Sequence, residues 1–298
     1  MTRKAFVPLL ALAALSLFAF SVAGCSDSAA DTAVVDFSIT DAPVASDSVK
    51  EVYVTFSSLE INESSAAGED GSGWTEVPID ATKEYELLSL TGGLSDALGS
   101  LELSGGTRIN QIRFGVGSIE LVETDDAADA ARHPVTLSSS TGLKIVNAFD
   151  IPLSGTISIV VDFDVRKSLV YTAGQGYKMK PTLRAIVENE AGEIRGTAPA
   201  GYSVYAYASV ADADIAADTF ADPADTVDSP EFDDAYTSVI VGEDGLDADG
   251  LGSYTLAFMD AGSYDLVLVD PADGSVVQVA SDIVVVSAQA TTADIALP

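Results

Sequence analysis

The chain has 298 residues, of which 46 are acidic and 14 basic, with one cysteine and one histidine. A net charge of −32 disfavours nucleic acid as a partner, because a polyanion would meet a negative field over most of the molecule. One cysteine excludes an intrachain disulfide framework and a cysteine-based zinc site, and one histidine excludes a multi-histidine metal centre. Because 47% of the residues are hydrophobic, the composition still predicts a folded chain with a substantial core.

The N-terminus has the features of an export signal. Two basic residues precede an uncharged apolar run over residues 5–20, which predicts a cleaved signal peptide over residues 1–24. The ending Val22-Ala23-Gly24-Cys25 resembles the lipobox of bacterial lipoproteins. That resemblance implies lipid attachment to Cys25 and an anchor in the cell membrane or outer membrane, facing the periplasm or the exterior. An uncleaved transmembrane anchor of about 20 residues is the alternative.

The rest of the chain, after a polar tether over residues 25–32, is predicted to be all-β. Val52, Val54 and Phe56 alternate with more polar neighbours, and similar runs recur between clusters of Gly, Pro, Asn, Asp and Ser. Many short strands of this kind predict β-sandwiches. A single short helix is expected at residues 94–101. The other expected strands are residues 107–115, 143–149, 156–165, 177–187, 202–210, 253–258, 264–269 and 282–287.

The distribution of charge indicates two domains. Residues 32–190 contain 24 acids and 11 bases, whereas residues 191–298 contain 20 acids and one base, Arg195. We therefore predict two β-sandwich domains, over residues 33–190 and 191–298. The acidic stretch at 211–234 is expected to be a surface excursion of the second domain.

Several motifs in residues 33–188 occur in a characteristic order. They are Phe37-Ser38-Ile39-Thr40-Asp41-Ala42-Pro43, Asn110-Gln111-Ile112-Arg113-Phe114, Val161-Asp162-Phe163-Asp164-Val165-Arg166 and Gly176-Tyr177-Lys178-Met179-Lys180-Pro181. Their order and spacing resemble the DUF4382 family of bacterial and archaeal surface lipoproteins. The resemblance implies a β-rich fold and a surface location, and it brings no assigned activity.

The second half carries shorter motifs, Ser203-Val204-Tyr205-Ala206-Tyr207, Gly252-Ser253-Tyr254-Thr255-Leu256 and Ala261-Gly262-Ser263-Tyr264. They resemble carboxypeptidase-regulatory-like, transthyretin-like sandwiches. That resemblance implies a stalk, a spacer or a binding accessory.

Three carboxylates are candidates for a Ca²⁺ site. Asp162 and Asp164 alternate with apolar residues and are expected to share one face of a strand, and Asp41 lies in a Thr-Asp-Ala-Pro turn. Ion pairing to nearby bases explains the same pattern without a metal, and we favour it. The bases in question are Lys178, Lys180, Arg166 and Lys167.

Other candidate sites have simpler explanations. Asp247-Ala248-Asp249-Gly250 resembles half of an EF-hand loop but lacks the glutamate that should follow, so a solvated turn is favoured. His133 is expected in a surface loop rather than a catalytic triad. Trp74 is expected at the edge of the core, with stacking on a sugar as the alternative.

These observations predict a non-enzymatic, lipid-anchored protein of the cell envelope with no catalytic residue, metal or cofactor. Its function is expected to be binding or adhesion, with a glycan or a protein as the ligand. A carbohydrate-active hydrolase with paired carboxylates and a purely structural envelope component are the alternatives. The high acidity indicates a surface adapted to salt, or else cation-dependent adhesion.

Overall fold

The computed structural model describes residues 31–42, 49–65, 72–123, 131–138, 143–172, 174, 176–209, 215, 232 and 234–298. The predicted signal peptide, Cys25, the tether up to residue 30 and most of the excursion at 211–234 lie outside these residues. Among the described residues, no helix is long and apolar enough to cross a membrane.

The all-β prediction is confirmed. The first thirteen strands enclose one hydrophobic core that contains buried residues from Ala33 to Val187, and we call this part the N-terminal domain. A 3₁₀ turn at Leu87–Ser89 and a one-turn helix, α1, at Val165–Ser168 interrupt the strands. The strands are β1 Thr32–Thr40, β2 Val49–Asn62, β3 Trp74–Val77, β4 Glu84–Glu86, β5 Asp96–Ser104, β6 Arg108–Glu123, β7 His133–Pro134, β8 Thr136–Leu137, β9 Leu143–Asp150, β10 Gly155–Phe163, β11 Leu169–Thr172, β12 Gly176–Met179 and β13 Leu183–Val187.

Two main sheets form the N-terminal domain. One has the order β13-β10-β1-β5, and the other has the order β3-β2-β6-β7, with β4 added beside β2 and β9 beside β6. Alternate residues of β1, including Val35, Phe37 and Ile39, are buried in the core between the sheets. Because β1 and β10 are parallel, Thr40 pairs with Asp162. This register brings the end of β1 beside the end of β10.

The last seven strands form a second core, with buried residues from Ile194 to Ile295, and we call this part the C-terminal domain. One sheet has the order β17-β14-β20 and the other has the order β16-β15-β18-β19. A smaller cluster, which includes Tyr205, Tyr207 and Phe232, is buried separately. The strands are β14 Gly192–Pro199, β15 Ser203–Ala208, β16 Thr237–Ile240, β17 Leu251–Met259, β18 Gly262–Val269, β19 Val276–Val285 and β20 Ala290–Thr292.

Two local predictions are wrong. The helix expected at residues 94–101 is absent, because β5 occupies Asp96–Ser104 and pairs along its length with β1. The strand expected at 177–187 is two strands, β12 and β13, separated by Pro181. Proline has no N–H to donate to a β ladder, so it ends the first strand and allows the second to join a different sheet.

The two cores belong to one compact unit over residues 31–298. Only four residues, 188–191, connect β13 to β14. The end of β10, α1 and β13 lie where the N-terminal domain meets the C-terminal domain, since hydrogen bonds from Arg166 and Arg184 cross there.

Candidate functional site

The structure brings together the three carboxylates that the sequence singled out. Asp41 follows β1, Asp162 lies in β10 and Asp164 is the N-cap of α1. All three are buried, with 6%, 3% and 6% of their surface exposed. Two arginines from the same domain pair with Asp162 and Asp164. We call the five residues Asp41, Asp162, Asp164, Arg166 and Arg184 the interdomain cluster.

Asp162 is held by Arg184, its direct register partner on β13. The Nε and Nη2 atoms of Arg184 lie 2.7 and 2.6 Å from Asp162 Oδ2. The other end of the guanidinium reaches the C-terminal domain, where Nη1 donates to the carbonyl of Phe258 at 2.9 Å. The Arg184 guanidinium also stacks over the ring of Tyr236, 4.1 Å from its centroid. Arg184 therefore joins a carboxylate of one domain to the backbone of the other.

Asp164 and Arg166 form the second link between the domains. Asp164 caps α1 by accepting the N–H of Lys167 at 3.1 Å, and its other oxygen lies 3.0 Å from Arg166 Nη2. Arg166 then donates to the carbonyls of Phe232 and Ala235 in the C-terminal domain, the latter at 3.2 Å. Its side chain is only 5% exposed.

Within the described residues, Asp41 has no basic partner at hydrogen-bond distance. Its Oδ1 accepts the N–H of Val165 at 3.0 Å, while no group among the described residues donates to its Oδ2 or to Asp162 Oδ1. Burial raises the pKa of Asp41 well above its ordinary value, and the charges of Asp162 and Asp164 raise this pKa further. A protonated Asp41 would relieve the repulsion among three neighbouring carboxylates.

Burial and pairing act in opposite directions on the other members. Burial raises the pKa of Asp164, and Arg166 opposes that rise. Burial lowers the pKa of Arg184, but Asp162, Tyr236 and Asp260 together outweigh this effect and the net pKa is raised. The arrangement thus keeps Arg184 charged and paired.

The geometry matches the ion-pair explanation, with two of the four expected bases, Arg166 and Lys167, lying 3.0 and 4.0 Å from Asp164. Asp162 and Asp164 pair with Arg184 and Arg166 rather than across a strand pair with Lys178 and Lys180, because β12 pairs with β11 and β8 instead of β10. Among the described residues, no group of three or more His, Cys, Asp or Glu is arranged to hold a metal ion. Sequence reasoning missed Arg184 entirely, although Pro181 is a signal that a new strand begins after it.

The remaining candidates lie apart from the interdomain cluster. His133 starts the two-residue strand β7, with Nε2 3.9 Å from Glu123 Oε2. Trp74 starts β3 and is half-buried, with the guanidinium of Arg113 4.1 Å from the centroid of its indole. Asp247 Oδ1 accepts two backbone N–H groups in the turn before β17.

The model of the family described as "Domain of unknown function (DUF4382)" matches residues 32–181. No curated protein matches the chain. Among solved structures, GBS52, the minor pilin of Streptococcus agalactiae, is 10% identical, with 88% of this chain and 94% of that chain covered and a TM-score of 0.22. BcpA, the major pilin subunit of Bacillus cereus, is 10% identical, with 89% and 70% covered and a TM-score of 0.20. CBMbc (family CBM26) from Eubacterium rectale Amy13K, solved in complex with maltoheptaose, is 10% identical, with 89% and 91% covered and a TM-score of 0.20. These similarities assign no function.

Proposed function

We propose a function for this chain, which belongs to the DUF4382 family, from the geometry of its interdomain cluster. The chain is a non-enzymatic protein of the cell envelope, anchored by lipid on Cys25. Its two β domains form one rigid binding or adhesion module outside the membrane. The C-terminal domain acts as a spacer or partner module of the carboxypeptidase-regulatory-like kind.

One observation supports this proposal most strongly. Two buried carboxylates form ion pairs with arginines whose hydrogen bonds reach from the N-terminal domain to the C-terminal domain. Asp162 and Asp164 are almost fully buried, and each has a guanidinium within 3.0 Å. Carboxylates that run a hydrolysis must reach a substrate, and one of them needs a proton to donate at working pH. Burial and pairing with Arg184 and Arg166 instead make both carboxylates inaccessible to a substrate, as expected of groups that connect two domains.

We call the hydrogen bonds from Arg166 and Arg184 to the C-terminal domain, together with their ion pairs to Asp164 and Asp162, the interdomain lock. Such a fixed connection is suited to a module that presents a ligand-binding surface at a fixed distance from the membrane. Removing one partner of a buried ion pair destabilises a protein strongly, since the remaining charge is left without compensation. Relative motion of the domains would break the hydrogen bonds from Arg166 to the carbonyl of Ala235 and from Arg184 to the carbonyl of Phe258. Because the donors are charged, each such hydrogen bond contributes about 1.5–3 kcal/mol. These interdomain contacts do not depend on whether the ligand is a glycan or a protein.

Anchoring is tested in cells of a host that processes bacterial lipoproteins. The wild-type chain and Cys25→Ser are separated by detergent-phase partition, with Ser26→Ala as the matched control. We expect the wild type and the control in the detergent phase and Cys25→Ser in the aqueous phase. Retention of Cys25→Ser in the detergent phase, at the mass of a chain cleaved after Gly24, would contradict lipid anchoring. Turnover of a polysaccharide, abolished by a single Asp or Glu substitution, would contradict the non-enzymatic part.

A further inference from the structure

The domains also meet at a polar cleft with a volume of about 540 Å³. One wall is the Gly92-Gly93 turn of the N-terminal domain, and another is the connection at residues 188–191. The remaining walls come from the start of β14, the end of β17 and the turn that precedes β20. This volume lies within the range of about 300–1,000 Å³ that is usual for small-ligand sites.

Unusual backbone conformations converge on this cleft. Gly92 and Gly93 have φ values of 64° and 93°, and the non-glycine residues Phe258 and Ala288 have φ values of 53° and 57°. Only two other described non-glycine residues have positive φ. Such conformations are unfavourable for residues with a Cβ and are retained where surrounding contacts enforce them, often at ligand sites.

Hydrogen bonds and close packing hold Phe258 and Ala288 in their positive-φ conformations. The carbonyl of Phe258 accepts Arg184 Nη1 from the interdomain cluster at 2.9 Å, and the N–H of Ala288 donates to the carbonyl of Ala191 at 3.1 Å. A Cβ at Gly192 would lie 2.4 Å from Val285 Cγ1, so the wall is closely packed there. The cleft is therefore preformed, which reduces the entropy lost when a ligand binds.

The cleft combines acceptors, donors and an aromatic residue. Its polar side chains are those of Glu188, Asn189, Glu193, Arg195, Thr255 and Gln289, and Phe258 also lines it. Arg195 is the single base of residues 191–298, and its Nη2 lies 2.6 Å from Glu193 Oε1. Such a pair can bind neighbouring hydroxyls in both senses, because the carboxylate accepts a hydrogen bond from one hydroxyl and the guanidinium donates a hydrogen bond to the next.

The charge of the cleft selects among ligand classes. Two carboxylates and one guanidinium, within a domain rich in acids, disfavour an anion. The N–H groups of Asn189, Gln289 and Arg195 are hydrogen-bond donors and cannot coordinate a cation. From this chemistry we propose that the cleft binds a short, uncharged oligosaccharide, whose hydroxyls use donors and acceptors together. The inference rests on the proposed binding function and names its ligand class.

The test is isothermal titration of residues 26–298, which contain the compact unit from Asp31 to Pro298. The probes are maltotriose, cellotriose, mannotriose and chitotriose, with trigalacturonate as the charged comparison. We expect at least one neutral trisaccharide to bind with a stoichiometry of one, and more tightly than trigalacturonate. Arg195→Met should weaken that binding about tenfold, whereas Arg108→Met, at an exposed ion pair with Asp150, should leave it unchanged.

Three results would overturn the inference: no binding of any neutral trisaccharide, tighter binding of trigalacturonate, or binding that Arg195→Met does not affect. Equal melting temperatures of the wild type and both variants would show that a loss of binding comes from the changed side chain in the cleft and not from unfolding. Residues 26–298 lack Cys25, so failure here is distinct from failure of lipid anchoring. The interdomain lock would also stand without the oligosaccharide.

Discussion

The two β domains carry their charge in different ways. Residues 32–190 contain 24 acids and 11 bases, whereas residues 191–298 contain 20 acids and a single base. At the boundary, Arg166 and Arg184 of the N-terminal domain donate to backbone carbonyls of the C-terminal domain. Each arginine is already paired with a carboxylate of its own domain.

This difference shows how an acidic domain can be docked without facing carboxylate to carboxylate. The C-terminal domain offers the arginines carbonyl oxygens and the rings of Tyr205 and Tyr236, which are acceptors that carry no net charge. The carboxylates that form ion pairs with the arginines come from the N-terminal domain, and Asp260 of the C-terminal domain raises the pKa of Arg184 without forming an ion pair with it. The net charges of the domains therefore say little about their interface, because a few buried contacts control it.

Replacement of Arg184 is expected to have the largest effect. Arg184→Met leaves the buried Asp162 without a counter-charge and removes the hydrogen bond to Phe258, so the free energy of unfolding should fall by about 3 kcal/mol. Urea denaturation of residues 26–298 followed by circular dichroism measures this change. A loss below about 1 kcal/mol, as for an exposed pair, would remove Arg184 as a link between the domains.

Arg166→Met should be the next most destabilising change, with a loss of about 2 kcal/mol, because it ends hydrogen bonds from a charged donor to two carbonyls. The substitution lies in the N-terminal domain, and its effect should reach the C-terminal domain through the lost hydrogen bonds. Hydrogen exchange at the amide of Ala235, which donates to Phe232, should become faster in the variant. Unchanged exchange there would mean that Arg166 stabilises only its own domain.

Asp41→Asn tests how much free energy of unfolding the protein loses because a third carboxyl group is buried in the interdomain cluster. The folded pKa of Asp41 lies above its ordinary value of 3.8, so the folded state binds more protons than the unfolded state between the two values. The free energy of unfolding that Asp41 contributes therefore falls as pH rises above about 4, by about 1.4 kcal/mol for each pKa unit of the rise. The variant should become more stable than the wild type as pH increases. Urea titrations at pH 4, 5.5 and 7 measure this, and an advantage of the wild type that grows with pH would contradict it.

Arg108→Ala should have the smallest effect. Arg108 and Asp150 form an ion pair with 56% and 78% of their side chains exposed, and such pairs contribute about 0–1 kcal/mol. The same urea measurement at low salt provides the baseline for the buried arginines. A loss as large as that of Arg184→Met would remove the contrast between buried and exposed pairs.

Much of this fold could be predicted from alternation in the sequence, and the failures have physical causes. Residues 94–101 place Leu94, Leu98 and Leu101 at helical spacing, yet pairing with β1 makes this segment a strand. The three aspartates could be selected from their pattern, but their partners could not. Pairing in β-sheets is non-local, and the sequence does not show that Arg184 rather than Lys178 lies opposite Asp162.

The cleft was beyond sequence reasoning for a similar reason. Glycine runs such as Gly92-Gly93 predict turns, but positive φ at Phe258 and Ala288 arises from contacts with distant segments. The sequence shows that Arg195 is the single base of residues 191–298. It does not show that Arg195 lies in a cleft, because the other walls of the cleft come from distant segments.

Differential scanning calorimetry of residues 26–298 tests the interdomain lock most directly. The wild type should unfold in one cooperative transition, with equal calorimetric and van't Hoff enthalpies. The double variant Arg166→Met, Arg184→Met should separate this transition into two, one for each hydrophobic core. Two independent transitions in the wild type, or a single unchanged transition in the double variant, would contradict the account.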